Sequence, residues 1–479
     1  MPNTDVLSMT IAELAPLIRA RKVSPVEVTD AALERAERLQ PKLRSFITLL
    51  PEQARARARE RAEGIARGEY LGPLDGVPVG IKDNIATAGV RTTVGSKVLA
   101  DHVPDEDATV VERLRRAGAI VIGKENLHEF AAGVTSANPH YGAVRNPWNL
   151  DHVPGGSSGG SGANVAAGVT YASLGTDLGG SVRIPASFCG VVGMKQTYGR
   201  VSQRGLMVTS FNGDHIGPLT RSVADSALVL QAIAGYDAMD PSTVPVAVPD
   251  FSANLGRGIA GMKIGVPSNY YFDIVDDEVA FAVRGAIASL EEMGATTVQV
   301  RVDALEHMDL VRVAGTAEGF VVHEPLIAEH RDQYTPDHLH RVLAGQFVLA
   351  RDYVKALRVQ RLILEDFARV LQGVDVLVTP TTPIPALPSH GDAIRVGGKD
   401  YPLGNRPGVT TGTSLGARNT SPTNATGLPS LTVPCGFTKG GLPIGLQFIT
   451  SAWEEALLYR VASRYEEVSP SKGKWPSIA

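Results

Sequence analysis

With 479 residues, 43% hydrophobic and 20% charged, the chain has ample material for a large core and none of the bias of a disordered or fibrous protein. A net charge of −4 gives no electrostatic case for a nucleic-acid surface, and no apolar run reaches membrane-spanning length. Two cysteines, Cys189 and Cys435, exclude a disulfide framework and cannot alone make a four-cysteine zinc site, so a cytoplasmic protein with no metal and no cofactor is expected.

The first 70 residues read as a helical segment packing on the remainder. Thr10-Ile-Ala-Glu13 has the pattern of a capping box, and Ser24-Pro25 places proline at a first helical position. Val28, Ala32, Leu33, Ala36 and Leu39 then recur at helical spacing. Glu52 to Arg67 alternates alanine with arginine and reads as a solvated helix, its charge offset by Glu52, Glu60 and Glu63.

From Leu74 short β-branched runs alternate with helices. Val77 to Ile81, Ala119 to Ile122, Ala172 to Leu174 and Val191 to Lys195 are strand candidates, with helices over Ala108 to Arg116 and Ser161 to Gly168. Such alternation predicts an α/β fold: one large domain over 71–479, with a mixed, mostly parallel twisted sheet flanked by helices on both faces. Its core covers about 74–236, and a proline- and glycine-rich linker follows at 237–261. Residues 303–372 form a helical insertion, whose histidines show no metal-ligand spacing. The C-terminal strands and helix occupy 374–467. Between them, Ser389 to Thr423 reads as one long loop, a lid or binding element.

The chemistry concentrates in Pro154 to Pro185. Gly155-Gly156-Ser157 and Gly179-Gly180-Ser181 are two glycine-glycine-serine turns, which let backbone approach a substrate and aim N–H groups at it. Serine alone is a weak nucleophile and needs a base. His152 has nothing around it that marks it for that task, whereas Lys82, in GVPVGIKDN, follows an apolar run. GVPVGIKDN, PGGSSGGSGANVAAG and GTDLGGSVRIPAS, in that order, resemble the hallmark segments of the amidase signature family. IGPLTRSVADSA and LPSLTVPCGF…GLPIGLQFI continue the likeness more loosely.

The resemblance implies a triad in which Ser181 is the nucleophile, Ser157 the bridging serine and Lys82 the base, with a cis peptide between Gly156 and Ser157. It implies oxyanion donors from Leu178, Gly179, Gly180 and Ser181. Asp177 and Arg183 are expected to hold the nucleophile loop, while Ser158 is free to cap the next helix. A lysine must be neutral to act as base, and bringing its pKa from about 10.4 to near 7 costs roughly 4.6 kcal/mol, which burial can supply. Cys189 reads as a packed small hydrophobe, not a rival nucleophile.

Val134, Thr135, Tyr141, Met207 and Phe211 are the candidate pocket residues. Being mostly apolar, they predict a stand-alone hydrolase of aryl or alkyl amides, with carbamates (a urethanase activity) or esters as further substrates. The expected partner is a small-molecule amide, with no nucleic acid and no membrane, in a possible homodimer. The alternative is the glutaminase A subunit of a tRNA-dependent amidotransferase, set second because the region before Pro422 does not look like that subunit's glutamine-binding and docking segment. A catalytically inert scaffold is a third reading, which three intact triad positions disfavour.

Overall fold

Thr10 opens the helix Ile11–Arg19 with both halves of the capping box: Glu13 N–H donates to Thr10 Oγ1 at 3.2 Å and Thr10 N–H to Glu13 Oε2 at 2.8 Å. Ser24 caps Pro25–Leu43 through the Val26 N–H, and that helix buries Val28, Ala32, Leu33, Ala36 and Leu39 as the spacing predicted. The arginine-rich helix Pro51–Ala66 is not wholly solvated. Arg61 is buried and forks onto Asp75 at 2.7 and 3.0 Å, fastening the helix to the loop that enters the sheet.

The computed structural model describes residues 5–210, 213–404 and 409–478. Among these, eleven strands form one mixed sheet. From edge to edge its strands are Phe46–Leu49, Ile120–Glu125, Pro78–Lys82, Ala172–Thr176, Ile216–Thr220, Val192–Lys195, Ser430–Phe437, Pro443–Ile449, Val376–Pro380, Lys263–Pro267 and Thr296–Val300. Pairing is parallel in one block around Pro78–Lys82 and in another around Lys263–Pro267, and antiparallel across the centre. Helices flank the sheet, and their apolar faces join it in one continuous core that includes Val79, Ile81, Leu174, Leu431, Phe448 and Leu458. The result is the expected α/β domain.

The C-terminal ends of two neighbouring parallel strands, at Lys82 and Thr176, open onto the two glycine-serine turns, the place where open α/β sheets hold ligands. The helices Met308–His330, Pro336–Leu343 and Ala350–Leu371 lie beside that end. Phe130, Ile327, Tyr334 and Val342 share a small core that joins them to the loops around the site.

Residues 389–423 are not a single loop. They hold the hairpin Ala393–Val396 with Lys399–Pro402 and the short helices Gly412–Gly416 and Ser421–Thr426, the last of which begins within the expected loop. Glycine and threonine there serve turns and the Thr411 capping box, so composition suggested a loop where short elements form.

Candidate active site

Lys82 ends its strand fully buried. Its Nζ donates to Ser157 Oγ and to Thr176 Oγ1, each at 2.7 Å, and Asn84 Nδ2 steadies the threonine hydroxyl at 3.1 Å. Burial lowers the amine to about 7 against the opposing charges of Asp214 and Asp177. Asp83, next in sequence, turns away: it accepts Thr93 N–H and Oγ–H and lies 3.6 Å from Lys124. A neutral amine hydrogen-bonded to a serine hydroxyl can take its proton. Amide turnover should therefore climb as pH rises through about 7, where Lys82 loses its charge, and level off above. A pH–rate profile flat from about pH 5 to 9 would count against lysine as the base.

The Gly156–Ser157 peptide is cis, as the resemblance implies. Ser157 O accepts His128 N–H at 3.1 Å and Ser136 Oγ–H at 3.2 Å, and Ser158 N–H donates to Ser181 O at 3.3 Å, tying the two turns together. A side chain at Gly156 would sit 2.8 Å from Gly133 O and 2.9 Å from the Thr135 and Ser136 nitrogens, so glycine is required there. Ser158 does not cap the helix Gly159–Ala166. Its hydroxyl bridges Thr176 instead, donating to the carbonyl and accepting the N–H, both at 3.2 Å.

Asp177 anchors the other turn. Its carboxylate accepts Gly180 N–H at 2.9 Å, Val182 N–H at 3.1 Å, Asn424 Nδ2 at 2.8 Å and the Arg183 fork at 2.9 and 3.0 Å. Burial alone would push this carboxyl up, but the charge and hydrogen bonds of Arg183 and Asn424 hold it well below the usual carboxylate range. Arg183 also donates to Thr420 O, Thr423 Oγ1, Gln447 Oε1 and Asn424 Oδ1 between 2.6 and 3.0 Å.

This corrects one expected oxyanion donor. The Gly180 N–H is spent on Asp177. The N–H groups of Leu178, Gly179 and Ser181 have no acceptor among the described residues.

Of the pocket candidates, Val134 and Thr135 line a cavity of about 900 Å³ together with His128, Arg341 and Ser421. Tyr141 does not line it; its hydroxyl donates to Ser96 O at 3.4 Å, on the outer side of that loop. Met207 packs against the Phe130 cluster, and Phe211 falls outside the described residues. A second cavity of about 310 Å³ adjoins Leu178 and Gly179. Its wall is mostly apolar, with Met308, Val311 and Ala425, and carries Arg312, Glu318 and Arg341 as charged exceptions; none of the four described pocket candidates lines it.

Sequence reasoning missed several neighbours. Thr176 stands one residue before Asp177 in a quoted motif and could have been weighed. Gln447 lies in the quoted GLPIGLQFI segment and could also have been weighed. The anchors Thr420, Thr423 and Asn424 carry no local signal. Nor does the buried pair Lys195 and His215, 3.1 Å apart behind the Asp177 backbone.

The amidase family matches residues 27–459. The A subunit of the glutamyl-tRNA(Gln) amidotransferase of Moorella thermoacetica is 42% identical over 99% of both chains. The solved structure of the corresponding A subunit of Thermotoga maritima is 32% identical, covers 100% of both chains and superposes with a TM-score of 0.79. The peptide amidase of Stenotrophomonas maltophilia is likewise 32% identical, over 98% of both, with a TM-score of 0.85.

The full-length likeness to these amidotransferase subunits overturns two expectations: a closer kinship with stand-alone hydrolases of aryl or alkyl amides, and a partner set without nucleic acid. The hallmark motifs are common to both kinds of enzyme, so they could not decide between them. With its matched span, its relatives and the lysine–serine geometry in place, the chain belongs to the amidase signature family, enzymes that act on carbon–nitrogen bonds.

Proposed function

We propose that the chain hydrolyses the side-chain carboxamide of glutamine as the glutaminase component of a glutamyl-tRNA(Gln) amidotransferase, handing the ammonia to partner subunits. The observation that carries this reading is the 42% identity to such a component over 99% of both chains. The cavity beside Leu178 and Gly179 supports it, since its apolar wall also carries Arg312, Arg341 and Glu318, and a cation and an anion suit the α-carboxylate and α-ammonium that glutamine bears on one carbon. A cytoplasmic setting accords with two buried, unpaired cysteines.

In this reading Ser181 attacks the carboxamide carbon while its proton passes by way of Ser157 to neutral Lys82. The carbonyl electrons move onto oxygen, which the Leu178, Gly179 and Ser181 N–H groups receive. Collapse of the tetrahedral intermediate expels ammonia, which takes back the relayed proton. Water, deprotonated along the same route, then releases glutamate and restores the serine. No metal or cofactor enters these steps.

The test compares ammonia release from glutamine by the chain alone and by the chain co-expressed with the other subunits of such an amidotransferase, with glutamyl-tRNA present and absent. The expected result is a weak glutaminase that rises at least about tenfold in the assembled complex. An enzyme that prefers an aryl amide over glutamine by about a hundredfold, whatever its partners, would overturn the reading.

A further inference from the structure

His128 is the one imidazole that both touches the bridging-serine turn and lines the 900 Å³ cavity, among the described residues. Its backbone N–H donates to Ser157 O at 3.1 Å, which sets its Cα one hydrogen bond from the relay. The ring lies flat against Gly133: a β-carbon on that glycine would fall 2.4 Å from both Cε1 and Nε2. Backbone without a side chain is therefore what gives the imidazole its place.

One tautomer of the ring frees an N–H for the cavity. Nδ1 is 3.3 Å from Thr135 Oγ1, and that oxygen already accepts the Ala137 N–H at 3.3 Å. With the threonine O–H turned to Nδ1, the ring proton sits on Nε2. Nε2 has no partner among the described residues and is not among the sealed, unsatisfied nitrogens, so it opens on free space. Burial first, then the positive charges of Arg341 and Lys82, holds the imidazole at about 4, and at neutral pH it is an uncharged donor. Arg341 lines the same cavity and donates to Ala132 O within the same loop.

We propose that His128 is a specificity-determining residue whose Nε2–H, with Arg341 beside it, donates to a carboxylate oxygen at the far end of the substrate's acyl chain. A neutral donor and a guanidinium bracket an anion without adding a second full charge near Lys82, whose own neutrality the reaction needs. The identification of that carboxylate as the α-carboxylate of glutamine rests on the function proposed above. The preference for an acyl chain ending in a carboxylate does not.

The experiment measures kcat and KM for glutamine, glutaramate (carboxylate without the amine) and butyramide (neither group), in the wild type, His128→Leu, His128→Gln and Gly133→Ala. Wild type should favour glutaramate over butyramide. In His128→Leu that preference should fall about tenfold, chiefly through KM, equivalent to about 1.4 kcal/mol. His128→Gln, which keeps a donor of similar reach, should restore most of it. Gly133→Ala leaves the histidine in the chain but drives a methyl into its ring, and should reproduce the Leu variant's loss. A wild type indifferent to the carboxylate, or a preference that survives both His128→Leu and Gly133→Ala, would overturn the proposal. If wild type turns over glutaramate but not glutamine, the glutamine reading fails while His128 is still tested by the same ratio.

Discussion

Exchanging Lys82 for methionine is expected to cut amide turnover by about 10³–10⁴-fold and, at the same time, to make the protein more stable. The loss follows from geometry, because Nζ is the base-capable atom bonded to Ser157 Oγ at 2.7 Å. The gain follows from burial, which brings the amine to about 7. In the unfolded chain the same amine binds its proton up to about pH 10.4. Between those values the unfolded state holds more protons, so stability rises with pH; below about 7 the whole penalty, roughly 5 kcal/mol, is present. Methionine keeps the length without the charge and removes that slope. Urea unfolding midpoints at about pH 6 and pH 9 check the sign: wild type should gain on the variant as pH rises. A methionine variant with near-normal turnover would show that the lysine is not the base.

Arg183→Met should be the most damaging single change to the fold around the site. It strips a buried guanidinium from Asp177, Asn424, Thr423 and Gln447 at once, and leaves the Asp177 carboxylate charged without its partner. Breaking a buried pair from one side typically costs about 3–5 kcal/mol. Because Asp177 is held below the usual range, the stabilisation it supplies is complete above about pH 4 and fades only in stronger acid, so the deficit of the variant should be full at neutral pH. Acylation of Ser181 should fail as well, since Asp177, which holds Gly180 and Val182, loses the guanidinium that fixes its own position. Arg183→Lys keeps the charge but not the fork and should recover stability only partly. Urea titration and labelling by an acyl-serine reagent read the two effects separately.

The contact between Lys82 and Ser157 was legible from short, dense motifs in the amino-acid order alone. Lys82, Ser157 and Ser181 stand in strand-end and glycine-turn contexts that dictate their surroundings, and Asp177 lies in the loop it braces. Legibility failed where direction or distance decides. A glycine pair does not say where its N–H points, and Asp177 captures the one at Gly180. The cavity's few charges come from Arg312, Glu318 and Arg341, on helices more than a hundred residues beyond the motifs, so the residues near the turns did not reveal them. Much of the strand pattern in 74–236 was clear because buried apolar runs alternate there with short helices, though the strand Ile216–Thr220 was not expected. Residues 389–423 were opaque because short hairpins and single-turn helices use the same glycine and threonine as loops do.

The order in which the sheet is laid down has a consequence for the newborn polypeptide. The strands Ser430–Phe437 and Pro443–Ile449 sit between Val192–Lys195 and Val376–Pro380, so the two halves of the sheet cannot meet until nearly the entire chain has left the ribosome. Ser181 is translated early, yet the acceptors that fix Arg183 arrive only with Thr420, Thr423, Asn424 and finally Gln447. A prematurely terminated product therefore carries a complete set of reactive side chains but lacks the distant acceptors that hold Arg183 and, through it, Asp177.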